Sequence, residues 1–358
     1  MMKRTLSTGL LAALVLSLTL GLSGCRDTFS LPRAKEPRST AIASVLGVDR
    51  PEEAIKVFAI SQGRKDQPPR CYVGEGPSFS EARLQTRDQG TETVSYAHVG
   101  HIIVSERAAA EQLERLLQYS LQNGEQSMES NLWLLREAEM SQVFSGELDI
   151  SKRLDTLKTS GEAGTSLPPC TLRETAARLA DDGVALIPAL RWTGSDLVLA
   201  GYAICKKDTV VGYLEEDFAD MTAILSGRSL FWNLQVKAED GRDGTVQLHS
   251  GGCKVYPVRD QNQLLGLSLV CDVEGQLLEV RSQDEVSDLT GQVERKVAGD
   301  LGKTAALLQE LDVDGAGLRR QAGLRDLRFW TDLSEQWDAV YGSLGLEVTV
   351  RARLTSGA

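Results

Sequence analysis

The chain has 358 residues, of which 42% are hydrophobic and 25% charged, values typical of a globular protein rather than of a disordered or fibrous one. At about 150 residues per domain, this length suggests two domains or three. The formal net charge of -11 at pH 7 argues against a nucleic-acid-binding protein, which needs basic surfaces to neutralise phosphates.

The N-terminus has the parts of an export signal. A lysine-arginine pair precedes an apolar run, Leu10–Leu22, which is shorter than the roughly 20 residues of a transmembrane helix. The run ends in LSGC, which is typical of a bacterial lipobox, where the cysteine thiol receives diacylglycerol and becomes the new N-terminus. We predict a lipoprotein signal peptide over residues 1–24 and a lipid on Cys25. The alternative is an ordinary secretory signal.

The residues after the predicted cleavage point are suited to a tether. Residues 25–40 are polar and contain two prolines, a composition typical of a linker. Removal of residues 1–24 takes away two positive charges and lowers the formal charge from -11 to -13. Anionic lipids would repel such a body, so the acyl chains on Cys25 are expected to supply the membrane attachment.

Five further cysteines are widely spaced and form no C-x-x-C pair, which argues against a zinc or redox motif. Their odd number leaves at least one free thiol outside the cytoplasm. Most are expected to be small buried hydrophobes, and one disulfide can form among the last three, while the disulfide state stays open. The five are Cys71, Cys170, Cys205, Cys253 and Cys271.

Strand and helix patterns alternate through residues 41–190, a predicted N-terminal α/β region. STAIASVLGVD and IKVFAI predict two paired strands, GPSFSEARLQTRDQG a weak helix, and HIIVSE and SNLWLLREA further strands. Ser105 is a predicted N-cap of a leucine-striped helix that ends at Gly124.

The rest of this region contains one clear helix. Residues 141–166 predict a short helix or a linker. In TLRETAARLADDG, Thr171 and Glu174 predict a capping box and Gly183 the helix end. VALIPALRW follows as an extended segment, in which Pro188 favours an edge position.

Residues 195–355 predict a C-terminal α+β domain. A hairpin, DLVLAGYAICKKDTVVGYL, leads into a helix, and three strand-rich runs predict an antiparallel sheet with one solvated face. A long helix over residues 283–311, with a capping box of Ser282 and Glu285, should lie across that sheet, and LEVTVRARL is the last strand. The predicted fold class is α+β, multidomain, with mostly antiparallel sheets flanked by helices.

Two motifs have spacings that only partly fit metal sites. His98 and His101 are three apart in an extended segment, which places them on opposite faces, so structural histidines are the preferred interpretation. The pair Asp312 and Asp314 lacks the later ligands of a calcium loop, where Ala316 and other residues stand, and predicts a turn between helices.

The other polar and aromatic clusters also have structural interpretations. The acidic run at residues 215–217 precedes a predicted helix, where negative charge suits the helix dipole. The aromatic pairs Phe231-Trp232 and Phe329-Trp330 are expected to be core or interface anchors. No dinucleotide, P-loop or nucleophile-elbow motif occurs, so we predict no enzyme, no cofactor and no metal, although an unfamiliar carboxylate site stays open.

Several of these segments, in this order, resemble the Ger(x)C family, the C subunits of spore germinant receptors. They include the lipobox, AHVGHIIVSE, LPPCTLRETAARL, the hairpin and WDAVYGSLGLEVTVRARL. His98 followed by Glu106 is similar to the family's histidine-strand-glutamate element, and Trp337-Asp338 to its terminal pair. Arg26-Asp27 stands where the family often has Trp-Asp. The hairpin pattern is carried by Gly201, Tyr202, Ala203, Gly212, Tyr213 and Leu214.

The resemblance implies three α/β-type domains and a non-enzymatic spore germination lipoprotein, a palmitate-type lipid attached at Cys25. It implies a place on the outer face of the inner spore membrane, with two membrane partners, the A and B receptor subunits. The alternatives are a solute-binding lipoprotein of a transporter, which would need two matched lobes, and a cell-envelope hydrolase, which would need converging acids or a nucleophile with its base.

Overall fold

The computed structural model describes residues 40–63, 69–87, 92–207, 209–237, 243–260, 263–278, 283–333 and 336–356. The predicted signal peptide, Cys25 and nearly all of the tether lie outside these ranges. Ser282 also lies outside them, and the side chain of Glu285 is not described, so the capping box proposed for the long helix stays a prediction. From Ala41 onward the chain forms one compact unit.

Strands within the described ranges form two sheets. They are β1 Thr40–Asp49, β2 Ile55–Ser61, β3 Arg70–Gly76, β4 Thr93–Ser95, β5 His101–Ser105, β6 Asn131–Arg136, β7 Val184–Trp192, β8 Leu197–Lys206, β9 Thr209–Leu214, β10 Leu230–Lys237, β11 Asp243–Asp260, β12 Gln263–Leu277 and β13 Gly345–Ser356.

Helices connect many of these strands. They are α1 Phe79–Arg87, α2 Glu106–Gln122, α3 Met140–Ser145, α4 Ile150–Glu162, α5 Leu172–Asp182, α6 Glu216–Leu225, α7 Gln283–Glu310, α8 Leu318–Arg325, α9 Leu327–Leu333 and α10 Trp337–Val340, with a 3-10 turn at Tyr341–Ser343. The mixture of helices and sheets confirms the α+β prediction.

The larger sheet has nine strands and is parallel at its centre. Its order is β3-β2-β1-β5-β6-β7-β8-β9, with β4 beside β1. The contacts of β5 with β1 and β6, and of β6 with β7, are parallel. Helices alone connect β5 to β6 and β6 to β7, as parallel neighbours usually require. The pairs at both ends of the sheet are antiparallel, including the predicted pair of β1 and β2.

Helices cover both faces of the larger sheet. Along β5, Ile102 and Val104 pack in a core with α2, whereas Ile103 lies on the opposite face in a core with α3 and α4. Successive side chains of a strand point to opposite faces, so a fully buried strand such as HIIVS needs cover on both. The segment at residues 141–166 therefore contains two helices that cover one face.

The prediction that Pro188 favours an edge position is wrong. Its strand, β7, lies between β6 and β8 inside the larger sheet. The register between β7 and β8 shifts between Pro188 and Leu190, which marks a bulge or irregularity there. Proline lacks the N–H that a regular ladder requires, and a bulge removes that requirement without placing the strand at an edge.

Three local helix signals are confirmed, whereas α2 ends at Gln122 with Asn123 as its C-cap, before the predicted end at Gly124. The Ser105 hydroxyl accepts a hydrogen bond from the Ala108 N–H at the start of α2. Thr171 and Glu174 form both hydrogen bonds of the capping box on α5, and Gly183 ends that helix in the left-handed conformation. These signals depend on residues three or four positions apart, so the sequence is sufficient to predict them.

The smaller sheet has the order β10-β11-β12-β13 and is covered by the long helix α7. The first three strands are antiparallel as predicted, whereas β13 runs parallel to β12 because α7 and the short helices after it return the chain to the same end. As predicted, α7 lies across this sheet, and one apolar face of the helix is buried against it. That face includes Leu289, Val293, Val297, Leu301 and Leu308.

The predicted boundary near residues 190–195 falls inside the larger sheet. The hairpin β8–β9, placed in the C-terminal domain by the sequence, supplies the last two strands of that sheet. One face of the hairpin, including Ile204 and Leu214, belongs to the same core as the smaller sheet. The hairpin therefore belongs to the larger sheet and also contacts the C-terminal residues, and the division into domains stays a prediction.

Candidate functional site

Two residues that carry the family resemblance, Glu106 and Tyr213, meet at one edge of the larger sheet. The Tyr213 hydroxyl donates a hydrogen bond to Glu106 Oε1 over 2.6 Å. The Arg136 guanidinium lies 4.2 Å from the centre of the Tyr213 ring and pairs with Glu215 at 2.7 Å. We call these four residues the carboxyl-edge cluster, because Glu106 and Arg136 stand at the carboxyl ends of β5 and β6.

A second polar group lies at the ends of β1 and β5. The Ser105 hydroxyl donates to Asp49 Oδ1 over 2.6 Å. Arg107 reaches Asp49 at 3.5 Å and Glu139 at 2.9 Å. The ends of three neighbouring parallel strands are therefore held by ion pairs and hydrogen bonds between residues from different elements.

The electrostatics of the carboxyl-edge cluster favour positioning over proton transfer. Burial and the hydrogen bond to Glu106 raise the pKa of Tyr213 far above its usual range, so the phenol stays protonated. The hydrogen bond to Glu215 raises the pKa of the Arg136 guanidinium further. An arrangement of a protonated phenol and a paired arginine can hold strand ends together, and it offers no activated nucleophile.

The two histidines of the HVGH motif do not share a site. His98 is exposed, whereas His101 is buried, with Nε2 3.0 Å from Asp155 Oδ1. The Trp133 indole N–H, which can only donate, lies 3.2 Å from His101 Nδ1. His101 therefore carries its proton on Nε2 and donates it to Asp155, and burial lowers its pKa. Both ring nitrogens of His101 therefore have partners within the protein.

The aspartates of DVDG form a turn between helices, as predicted. Asp314 is buried and accepts hydrogen bonds from the N–H groups of Leu318 and Arg319 at 2.7 and 2.9 Å. Asp312 pairs with Lys206 at 2.9 Å. Within the described ranges, no group of three or more histidine, cysteine or acidic residues gathers in a way that could hold a metal ion.

An open groove of about 640 Å³ lies between α6, β10 and α7. Phe218 and Phe231 on its walls are 36% and 42% exposed, and Phe231 stacks on His249 with ring centres 4.1 Å apart. Phe231 is therefore not a core residue, whereas Phe329 is fully buried against Trp337. We call this feature the C-terminal groove; its walls come from residues far apart in the chain, so no local pattern predicted it.

Asp220, which lines the C-terminal groove, has a raised pKa. Burial, together with the neighbouring charges of Asp217 and Glu216, raises the pKa of Asp220 from 3.8 to about 6. The acidic run at residues 215–217 itself lies at the start of α6, as predicted, with Glu215 as its N-cap residue.

Replacement of this acid, Asp220→Asn, is expected to stabilise the fold at pH 7 and not in acid. Because the folded state raises the pKa, the ionised carboxylate destabilises the protein, and this cost grows as the pH rises from 3.8 to about 6. The variant should unfold about 3 °C higher than the original chain at pH 7, and at the same temperature below pH 3.8, in thermal unfolding followed by circular dichroism. The exposed Asp217→Asn change is the control and should have a smaller effect. An equal gain at both pH values would contradict the account.

Two protein-family models match this sequence, one in each half of the chain. Residues 33–191 match a family model described as the spore germination protein N-terminal domain, and residues 200–357 match one described as spore germination B3/GerAC like, C-terminal. No curated protein matches the sequence significantly.

In the part of the chain that is described, no helix combines the length and hydropathy needed to cross a bilayer.

A solved structure, titled the crystal structure of the GerBC protein, has a similar fold. The two share 14% sequence identity with a TM-score of 0.58, over 86% of this chain and 96% of that one. At this identity the match concerns the fold. The two family matches, in order and over nearly the whole chain after the predicted signal peptide, show that this protein belongs to the spore germination GerAC family.

Proposed function

We propose that the protein is the lipid-anchored C subunit of a spore nutrient germinant receptor and that it acts without catalysis. The observation that carries the proposal is the match to both GerAC family models in sequence order, from residue 33 to residue 357. The lipobox before residue 33 supplies the proposed anchor at Cys25. The GerBC fold supports the same assignment.

The proposed role is to assemble with the A and B subunits at the outer face of the inner spore membrane and to help trigger germination. Confinement to a membrane plane raises the effective concentration of a tethered domain around its partners, so modest contacts are sufficient. The acidic body, with a formal charge of -13 after removal of the signal peptide, would be held by its acyl chains and its partners rather than by anionic lipid.

The carboxyl-edge cluster and His101 have structural roles in this fold. In the carboxyl-edge cluster, Arg136 is paired with Glu215 and Tyr213 with Glu106, so these groups are committed to contacts within the protein. His101 uses both ring nitrogens in hydrogen bonds. A general acid or base needs a titrating group within reach of a substrate, and these side chains do not supply one.

The anchor is tested with Cys25→Ala. We expect the variant to leave the membrane fraction of spores and to reduce nutrient-triggered germination strongly, since one lost lipidation site removes the membrane attachment. The measurement is the share of the protein in the membrane pellet, together with the germination rate on nutrient.

The matched control is Cys71→Ala, which removes an exposed thiol from β3 and should leave both readouts unchanged. A Cys25→Ala protein that still partitions with membranes, in spores that germinate normally, would contradict the anchored-subunit proposal.

A further inference from the structure

Two cysteines face each other across the smaller sheet. Cys253 in β11 is the direct register partner of Cys271 in β12, and both are buried in the core between this sheet and its covering helices. The register between β11 and β12 shifts between Ser250 and Cys253, and regular pairing of the two strands begins again at the two cysteines. Cys71, Cys170 and Cys205 lie in other parts of the fold.

The register gives this pair the geometry of a disulfide. Directly opposed residues of antiparallel strands have Cα atoms about 4.5 to 5.5 Å apart, and a disulfide needs about 4.4 to 6.8 Å. Opposed residues also project to the same face of the sheet, so the two sulfurs meet in the core. The Ser250 hydroxyl lies 3.2 Å from Cys271 Sγ.

We propose that Cys253 and Cys271 form a cross-strand disulfide in the exported protein, with a protein or small-molecule disulfide as the oxidant. The thiolate of one of the two cysteines attacks one sulfur of the oxidant, whose S–S bond breaks and releases one thiolate. The thiolate of the other cysteine then attacks the sulfur of the first cysteine in the mixed disulfide and releases the second. The two cysteines lose two electrons, and their two protons end on the two thiols released from the oxidant.

The two sulfurs have different surroundings in the folded sheet. Hydrogen bonding to its sulfur lowers the pKa of Cys271, while hydrogen bonding and burial raise the pKa of Cys253. Since both sulfurs are buried in the finished fold, the bond would form while the sheet assembles. The bridge would then tie β11 to β12 at their centre.

This inference rests on the proposed export, because cytoplasmic thiols are kept reduced. Its chemistry is nevertheless testable on the purified chain, so the two can fail separately. If the purified chain forms the disulfide in vitro but the protein in spores stays in the soluble fraction, the proposed lipid anchor is wrong and the proposed disulfide stands.

The test is refolding of the full chain, without its signal peptide, from denaturant in a mixture of oxidised and reduced glutathione. Acid quenching, alkylation of free thiols in denaturant and intact-mass measurement then count the cysteines that escaped alkylation. We expect two fewer alkylated thiols than in the fully reduced chain, and a peptide linking Cys253 to Cys271 after digestion. The bridged protein should unfold several degrees higher than the reduced one, because the link restricts the unfolded chain.

Variants separate this pair from others. Cys253→Ser and Cys271→Ser should each abolish the two-thiol difference, whereas Cys170→Ser and Cys205→Ser should keep it. Three outcomes would overturn the proposal. They are full alkylation at every glutathione ratio, a bridge between Cys170 and Cys205 instead, or a bridged protein that is less stable than the reduced one.

Discussion

Gly201→Ala is expected to lower the free energy of unfolding by about 3 kcal/mol or more. Gly201 adopts a φ of 88°, a left-handed conformation that residues with a Cβ rarely adopt. A Cβ at this position would stand 1.8 Å from the Leu214 carbonyl oxygen in the neighbouring strand β9. Since Leu214 is fully buried in the core that joins the two halves, the hairpin cannot move aside cheaply.

Gly212→Ala is the matched control in the same hairpin. A Cβ at Gly212 would have its nearest neighbour at 3.9 Å, an ordinary van der Waals contact with Ile204. We expect a change within about 1 kcal/mol in either direction. Urea unfolding of the two variants measures the difference, and equal losses would contradict the close approach of β8 and β9.

Arg319→Ala is the second substitution with a large expected effect. The Asp182 side chain at the end of α5 is 5% exposed and pairs with Arg319 of α8 at 3.0 Å. Arg319 also donates to the Asp181 carbonyl oxygen. Removal of the guanidinium would leave a buried carboxylate without its cation, which costs about 3 to 5 kcal/mol in such pairs.

The control is Arg320→Ala, one residue further along α8 and exposed to solvent. It should change stability by less than about 0.5 kcal/mol, as surface substitutions usually do. Thermal unfolding at pH 7 compares the two. Because Arg319 joins residues from the two predicted domains, similar unfolding temperatures for both variants would mean that this ion pair does not stabilise the contact between them.

Features that depend on residues close together in the chain, such as helix caps and hairpins, are predicted well from the sequence. The capping box of Thr171 and Glu174 and the hairpin β8–β9 each depend on short separations and appear as expected. The placement of Pro188 failed because proline is tolerated both at edges and at irregularities, and only the pairing of β7 with strands on both sides distinguishes the two. The parallel pairing at the centre of the larger sheet was also not predicted, because it depends on the paths of long connections between strands.

Candidate site features were harder to predict because they join distant residues. Tyr213 and Glu106 were each noted in separate motifs, yet their hydrogen bond spans 107 positions of the chain. The C-terminal groove likewise combines Phe218, Phe231 and Asp300 from three elements. By contrast, the prediction for Cys25 rests on a contiguous signal of charge, apolar length and small residues, and lies outside the described ranges.

The most direct test of the central claim, a subunit of a membrane receptor, is isolation of the protein with its neighbours. The full chain, carrying an affinity tag after Ala358, would be recovered from detergent-solubilised inner membranes of spores, and the proteins that accompany it identified by mass spectrometry. The account predicts two integral membrane proteins, the A and B receptor subunits, in constant ratio to the chain, and their loss when Cys25→Ala protein is used. Recovery of the wild-type chain alone, or from the soluble fraction, would contradict it.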